Sequence, residues 1–179
     1  MYHVGEAMVR WLAPILSFTA EESWSLLPGE RAPSVFLSTF YKLPEPQDLV
    51  VDWATLIRVR DNVSKALEEL READKIGSGL EADVTVYASD AVKATLEQPA
   101  HELRFVFITS EATVQPASKR IADAAAGDGF WVTATPSKHP KCIRCWHRRA
   151  DVGSVAAHPE ICARCAGNVD GPGETRVYA

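Results

Sequence analysis

Apolar residues recur at helical spacing from the start of the chain. Over residues 4–13, Val4, Ala7, Met8, Trp11 and Leu12 fall on one face, which predicts a helix. Pro14 either kinks that helix or sits in the first turn of the next. Thr19-Ala20-Glu21-Glu22 has capping-box spacing, with Trp24, Leu26 and Leu27 behind it. A second helix is expected there, stopped by Pro28-Gly29. Residues 28–51 hold Pro28, Pro33, Pro44 and Pro46 and read as a loop, with an extended patch at Ser34–Tyr41. The clearest helix is 53–76, carried by Trp53, Leu56, Ile57, Val63, Ala66, Leu67, Leu70 and Ala73. Asp52 is its expected N-cap and Gly77 its C-terminal cap.

Past Gly77 the period shortens to two. EADVTVYA, residues 81–88, alternates like a strand. Asp90–Gln98 reads as a short helix. Leu103–Thr109 is strongly apolar and fits a strand and a buried helix equally. Ala112–Gln115 reads as extended, Ser118–Ala126 is alanine-rich, and Phe130–Thr135 reads as another strand. Pro136-Ser137 closes this small α/β element. The fold class is therefore mixed α+β. Trp11, Trp24 and Trp53 are expected in the core, with Trp131 packed in its strand.

Composition narrows the setting. With 46% hydrophobic residues among 179, a packed core is affordable and wholesale disorder is excluded. No apolar run approaches the roughly 20 residues that span a membrane. No basic segment leads into an apolar one at the start, so no secretory signal is read and the cytoplasm is the expected compartment. There, paired cysteines serve as metal ligands more readily than as disulfides. Charge is segregated: residues 138–179 carry a balance of +3 and the remainder −8. A basic segment on an acidic body suits a nucleic-acid partner.

All four cysteines lie in that basic segment. Cys142-Ile143-Arg144-Cys145 is followed, after sixteen residues, by Cys162-Ala163-Arg164-Cys165. Two C-x-x-C turns so spaced match a zinc ribbon. Each turn aims two thiolates at one ion, and the spacer brings the second pair round to complete a tetrahedron. Four sulfurs leave no position for water or substrate, so one structural zinc ion is expected, and its binding should help to fold the segment. His139, His147 and His158 are read as surface residues. Around the first turn stand Lys141, Arg144, Trp146, His147, Arg148 and Arg149. Arginines bind phosphate and a flat ring stacks on unpaired bases, so Arg144, Trp146, His147, Arg148 and Arg149 are candidate RNA contacts. The alternative is that Trp146 only covers the metal site and the arginines are solvated. No P-loop, G-x-G-x-x-G, G-x-S-x-G or H-E-x-x-H is present, and no catalytic residues are assigned.

Three stretches resemble one family. Arg10-Trp11-Leu12-Ala13-Pro14-Ile15-Leu16-Ser17-Phe18-Thr19-Ala20-Glu21-Glu22 looks like the start of the anticodon-binding helical region of class I synthetases for branched aliphatic amino acids. Asp74-Lys75-Ile76-Gly77-Ser78-Gly79-Leu80-Glu81-Ala82 resembles the stretch that joins that region to a small α/β element, with Ser78-Gly79 where the family usually has Gly then Ser. Lys141 to Cys165, with Arg144-Cys145-Trp146-His147, resembles the C-terminal zinc finger of bacterial isoleucyl-tRNA synthetases.

The resemblance implies a helical anticodon-binding bundle portion over 1–77, a small α/β junction element over 78–137 and a zinc-finger module over 138–179. It implies Cys142, Cys145, Cys162 and Cys165 as zinc ligands and isoleucine-accepting tRNA as partner. The family's H-I-G-H and K-M-S-K-S motifs are absent, so ATP use, catalysis and editing are expected of a parent enzyme's N-terminal catalytic part and not of this chain. A zinc-finger part of a DNA-repair glycosylase ends in a similar finger and is the alternative, yet Tyr2 stands where those enzymes resemble one another in a proline. A purely structural zinc module is the other alternative.

Overall fold

In the computed structural model, which describes residues 2–45 and 51–178, the chain divides into two compact units, Met1–Leu49 and Val50–Ala179. The first unit holds α1 (Tyr2–Leu12) and α2 (Ser17–Leu26). The predicted apolar stripe of α1 is mostly its outer face: Val4, Met8 and Trp11 are about half exposed. The inner face carries Ala7 and Glu6. Glu6 is 3% exposed and bonds Arg10 at 2.5 Å and Arg31 at 3.1 Å. Both guanidinium groups lie over the Trp24 ring, at 4.5 and 4.6 Å. Burial works against the Glu6 charge, but hydrogen bonds from Arg10, Tyr2 and Arg31 outweigh it and hold its pKa below the ordinary value.

The expected capping box does not form. α2 starts at Ser17, before Thr19, because the turn after α1 feeds straight into it and Leu16 accepts from the Ala20 amide. Glu21 is used elsewhere: its carboxylate accepts the Ser34 hydroxyl and the Val35 amide, both at 3.0 Å. That contact pins the following loop. The patch expected to be extended contains a single 3₁₀ turn at Val35–Leu37, capped by Ser34. Pro46 lies outside the described residues.

The second unit is a sheet with helices on one face. α3 (Trp53–Glu72) begins at Asp52, whose side chain accepts from the Thr55 amide at 3.0 Å as expected of an N-cap. It ends earlier than predicted. Asp74 takes the left-handed conformation (φ 55), and the Asp74 and Lys75 amides close back on Arg71 and Leu70. Leu56, Val59, Val63, Ala66 and Leu67 point inward, whereas Trp53 and Ile57 are exposed at 38% and 52%. Of the three tryptophans expected in the core, only Trp24 is buried.

β1 (Ala82–Ala88) is followed by α4 (Asp90–Glu97), α5 (Leu103–Phe107) and β2 (Glu111–Pro116). The ambiguous segment is thus a short buried helix, ended by Ile108 in the left-handed region (φ 58). β3 (Ala125–Ala126) and β4 (Phe130–Pro136) complete a sheet of order β2-β1-β4-β3, in which only β1 and β2 run parallel. Val84, Val86, Phe130 and Val132 meet α3 together with Leu96, Leu103 and Phe107 to form the core. Thr85, set by register between Thr113 and Thr133, lies on the opposite face. No described helix is long and apolar enough to cross a membrane.

Candidate metal centre and nucleic-acid interface

The first cysteine pair sits on a tight hairpin. Lys141 bridges Arg148 in antiparallel fashion, the Cys142 amide donates to His147 at 2.9 Å, and the Trp146 amide donates to Cys142 at 2.9 Å. Closing so small a loop puts Trp146 in the left-handed region (φ 66), a conformation a bulky side chain rarely takes. The second pair opens α6 (Ala163–Asp170), with Cys162 at its N-cap and Cys165 in its first turn. Amide dipoles at a helix start favour thiolates.

The four sulfurs lie within 4.8 Å of one another, and Cys145 Sγ is 3.8 Å from Cys162 Sγ. None is in a disulfide. Zinc–sulfur bonds of about 2.3 Å arranged as a tetrahedron set sulfurs about 3.8 Å apart, so the donor set fits a zinc ion in kind and in spacing. Burial raises the Cys142 thiol, but amides of Cys145, Cys162 and Arg144 outweigh it and bring it down to about 6. Burial pushes Cys162 up to about 12. Thiols packed this closely resist ionising together, and a divalent cation removes that conflict.

The five candidate RNA contacts have different surroundings. Trp146 is 60% exposed, with Lys141 Nζ 5.8 Å from its ring centre. Arg144 is exposed and its Nη1 reaches Cys165 Sγ at 3.7 Å. His147 is buried, contrary to its reading as a surface residue. Its Nδ1 is 3.1 Å from the Cys145 carbonyl, its ring meets Phe105 edge-on, and burial lowers its pKa. Arg148 bonds Glu81 at 3.1 Å, and its amide donates to Ser110 Oγ at 2.6 Å. Arg149 pairs with Glu111 and, at 3.5 Å, with Asp151.

Sequence reasoning missed the receiving side of those contacts. Glu81 accepts the Gly77 amide at 2.8 Å with one oxygen and Arg148 with the other, and these bonds lower its pKa. Its place in the Leu80-Glu81-Ala82 stretch was the one available signal. Ser110 and Glu111 gave none, because the left-handed turn at Ile108 that delivers them is invisible in an apolar run. Gly79 belongs to the same corner: a Cβ there would stand 2.8 Å from the Ile108 carbonyl oxygen. The family's usual serine therefore does not fit this chain without a backbone shift.

Comparison with known proteins agrees with both ends. An anticodon-binding domain of tRNA ligases matches residues 1–86, and a zinc finger found in FPG and IleRS matches residues 140–167. Isoleucine–tRNA ligases of Pseudomonas aeruginosa and Nitrosococcus oceani are 50% and 47% identical over 186 aligned residues, covering 100% of this chain. That of Alkalilimnicola ehrlichii is 48% identical over 189. The chain spans 20% of the length of each of these relatives. The chain is thus similar from end to end to one fifth of an isoleucine–tRNA ligase, and it matches an anticodon-binding domain at its start and a zinc finger towards its end.

Proposed function

We propose that this chain binds the anticodon end of isoleucine-accepting tRNA as the C-terminal region of a cytoplasmic isoleucyl-tRNA synthetase. The observation that carries the reading is Trp146, an exposed ring on the zinc hairpin beside Lys141 and Arg144. Stacking of an unpaired base on that ring, with the cations on neighbouring phosphates, is the chemistry it offers. One structural zinc ion on Cys142, Cys145, Cys162 and Cys165 would hold the hairpin's shape and supply no open coordination site. ATP use and isoleucine transfer would belong to the rest of the enzyme. The remaining sequence of that enzyme is also the partner we assign to the apolar surface of the first unit, where Ile15, Phe18 and Leu26 are 77%, 92% and 79% exposed. Functionally we divide the chain as anticodon-binding bundle portion (1–77), junction (78–137) and zinc ribbon (138–179).

Gel-shift titration with isoleucine tRNA and an anticodon-altered version tests this. Trp146→Ala should weaken the first and narrow the difference between the two; equal weak binding by the parent chain to both would sink anticodon reading. A structural role for part of the module is favoured by the ion pairs of Arg148 and Arg149 with Glu81 and Glu111. Charge reversal at both arginines separates the roles. Phosphate contacts would lower the salt slope by about 0.7 each, whereas docking contacts would leave the slope and cost stability.

A further inference from the structure

Each C-x-x-C turn encloses an arginine, and both arginines reach the same sulfur. Arg144 Nη1 lies 3.7 Å and Arg164 Nη2 3.9 Å from Cys165 Sγ. Four thiolates around a divalent ion carry a net charge of about −2. Two guanidinium groups at the cluster offset it.

Arg164 is held in that position from its other side. Its Nη1 donates to Glu174 Oε1 at 2.6 Å. Glu174 is fixed in turn: its amide donates to Asn168 Oδ1 at 2.8 Å, and its carboxylate accepts from Arg176 at 2.7 Å. The chain reaches this point by folding back on α6. The amides of Gly171 and Gly173 both donate to the Gly167 carbonyl, at 2.9 and 3.1 Å. A Cβ at Gly171 would stand 2.7 Å from that oxygen, and Gly173 has φ +82, so both turns favour glycine. Farther on, the amides of Val177 and Tyr178 donate to the buried Glu102 carboxylate at 2.9 and 2.7 Å. The Arg176 guanidinium lies 3.8 Å from the Phe105 ring centre. Residues 171–178 therefore strap the cysteine-bearing helix to the α/β element.

We infer that this strap retains the metal: Glu174 holds Arg164 against Cys165, and Arg164 with Arg144 balances the thiolate charge. The inference rests on the zinc reading above. Donors to a ligating sulfur stabilise it as thiolate and oppose its release, and groups in this outer position change metal affinity by about 10–100-fold.

The test uses the 179-residue chain loaded with zinc. Two rates are followed: zinc transfer to a chromogenic chelator and alkylation of the thiols. Glu174→Ala should accelerate both about tenfold, with far-UV circular dichroism unchanged. Arg164→Ala should do the same, and combining the two should add little, because they act in series. Unchanged rates in Glu174→Ala would overturn the inference. So would an acceleration that persists undiminished in the Arg164→Ala background, which would make the strap a general clamp. Failure of the zinc reading is distinguished at the outset, since the parent chain would then load no zinc.

Discussion

Trp24, Val35 and two alanines, Ala13 and Ala20, fill the interior of Met1–Leu49 beside an ion-paired Glu6. In Val50–Ala179 a continuous cluster of valine, leucine and phenylalanine from α3, α4, α5 and the sheet does that work. The first unit leaves Phe18, Ile15, Leu37 and Phe40 outside; the second leaves Trp53 and Trp146 outside but fully buries Phe130, Leu56 and Leu96 in one core. A helix pair offers narrow stripes and a small inside, so large side chains have nowhere to go unless more structure covers them. A sheet layered with helices offers a broad face. Amphipathic spacing is present in both units, but in only one does it identify what is inside.

The largest effect should come from a third kind of stabilisation, inside the second unit. Stripping zinc removes binding free energy of order 10 kcal/mol for such sites, so the cysteine module should unfold while the sheet persists. Mass-spectrometric alkylation should then find Cys142, Cys145, Cys162 and Cys165 reactive together, with amide exchange of β1 still slow. Next, Leu56→Ala empties space in the apolar core and should cost about 3 kcal/mol by chemical denaturation, leaving the fluorescence transition of Trp24 in place.

Glu6→Gln makes the reverse test. It leaves Arg10 and Arg31 without their buried carboxylate and should destabilise the first unit by about 3 kcal/mol with the second unaffected. Acid should mimic it. The Glu6 pKa is depressed in the folded state, so its contribution is present above the ordinary value near 4.5 and fades as pH falls through the folded value. Trp24 emission should respond in that range, and Glu6→Gln should abolish the response. Gly79→Ser should cost about 2 kcal/mol through the clash with Ile108, read as a lower denaturation midpoint of the second unit. Smallest of all, Asp128→Ala breaks an ion pair whose carboxylate is 92% exposed and should shift stability by less than about 0.5 kcal/mol. A large effect there would mean that charge pairs matter alike in both units, and the contrast would fall.

The cysteine cluster was legible because its geometry is local: two residues between cysteines fix a turn wherever it occurs. α3 and β1 were legible because period alone determines which residues share a face. What period cannot supply is the direction that face points, and so α1 was found with its apolar stripe turned outward. Caps depend on a neighbour's geometry, which is why Asp52 was identified and Asp74 was not. Arg148 and Arg149 read as RNA contacts beside the cysteines; Glu81 and Glu111, which pair with them, come from 67 and 38 residues away. Pairings of that range are set by the fold, and no local pattern announces them.

β1 has a consequence for how the cysteine hairpin is held. It is flanked on both sides, and its first residue follows directly on Glu81. The Ser110 amide closes on Ala82 and the Ser137 amide on Glu81 within the same corner. The hairpin is thus tied, through Arg148, to the start of a strand that is paired on both edges. A load on the Trp146 ring would therefore pass through the Arg148 contacts into the sheet instead of being absorbed by a free loop.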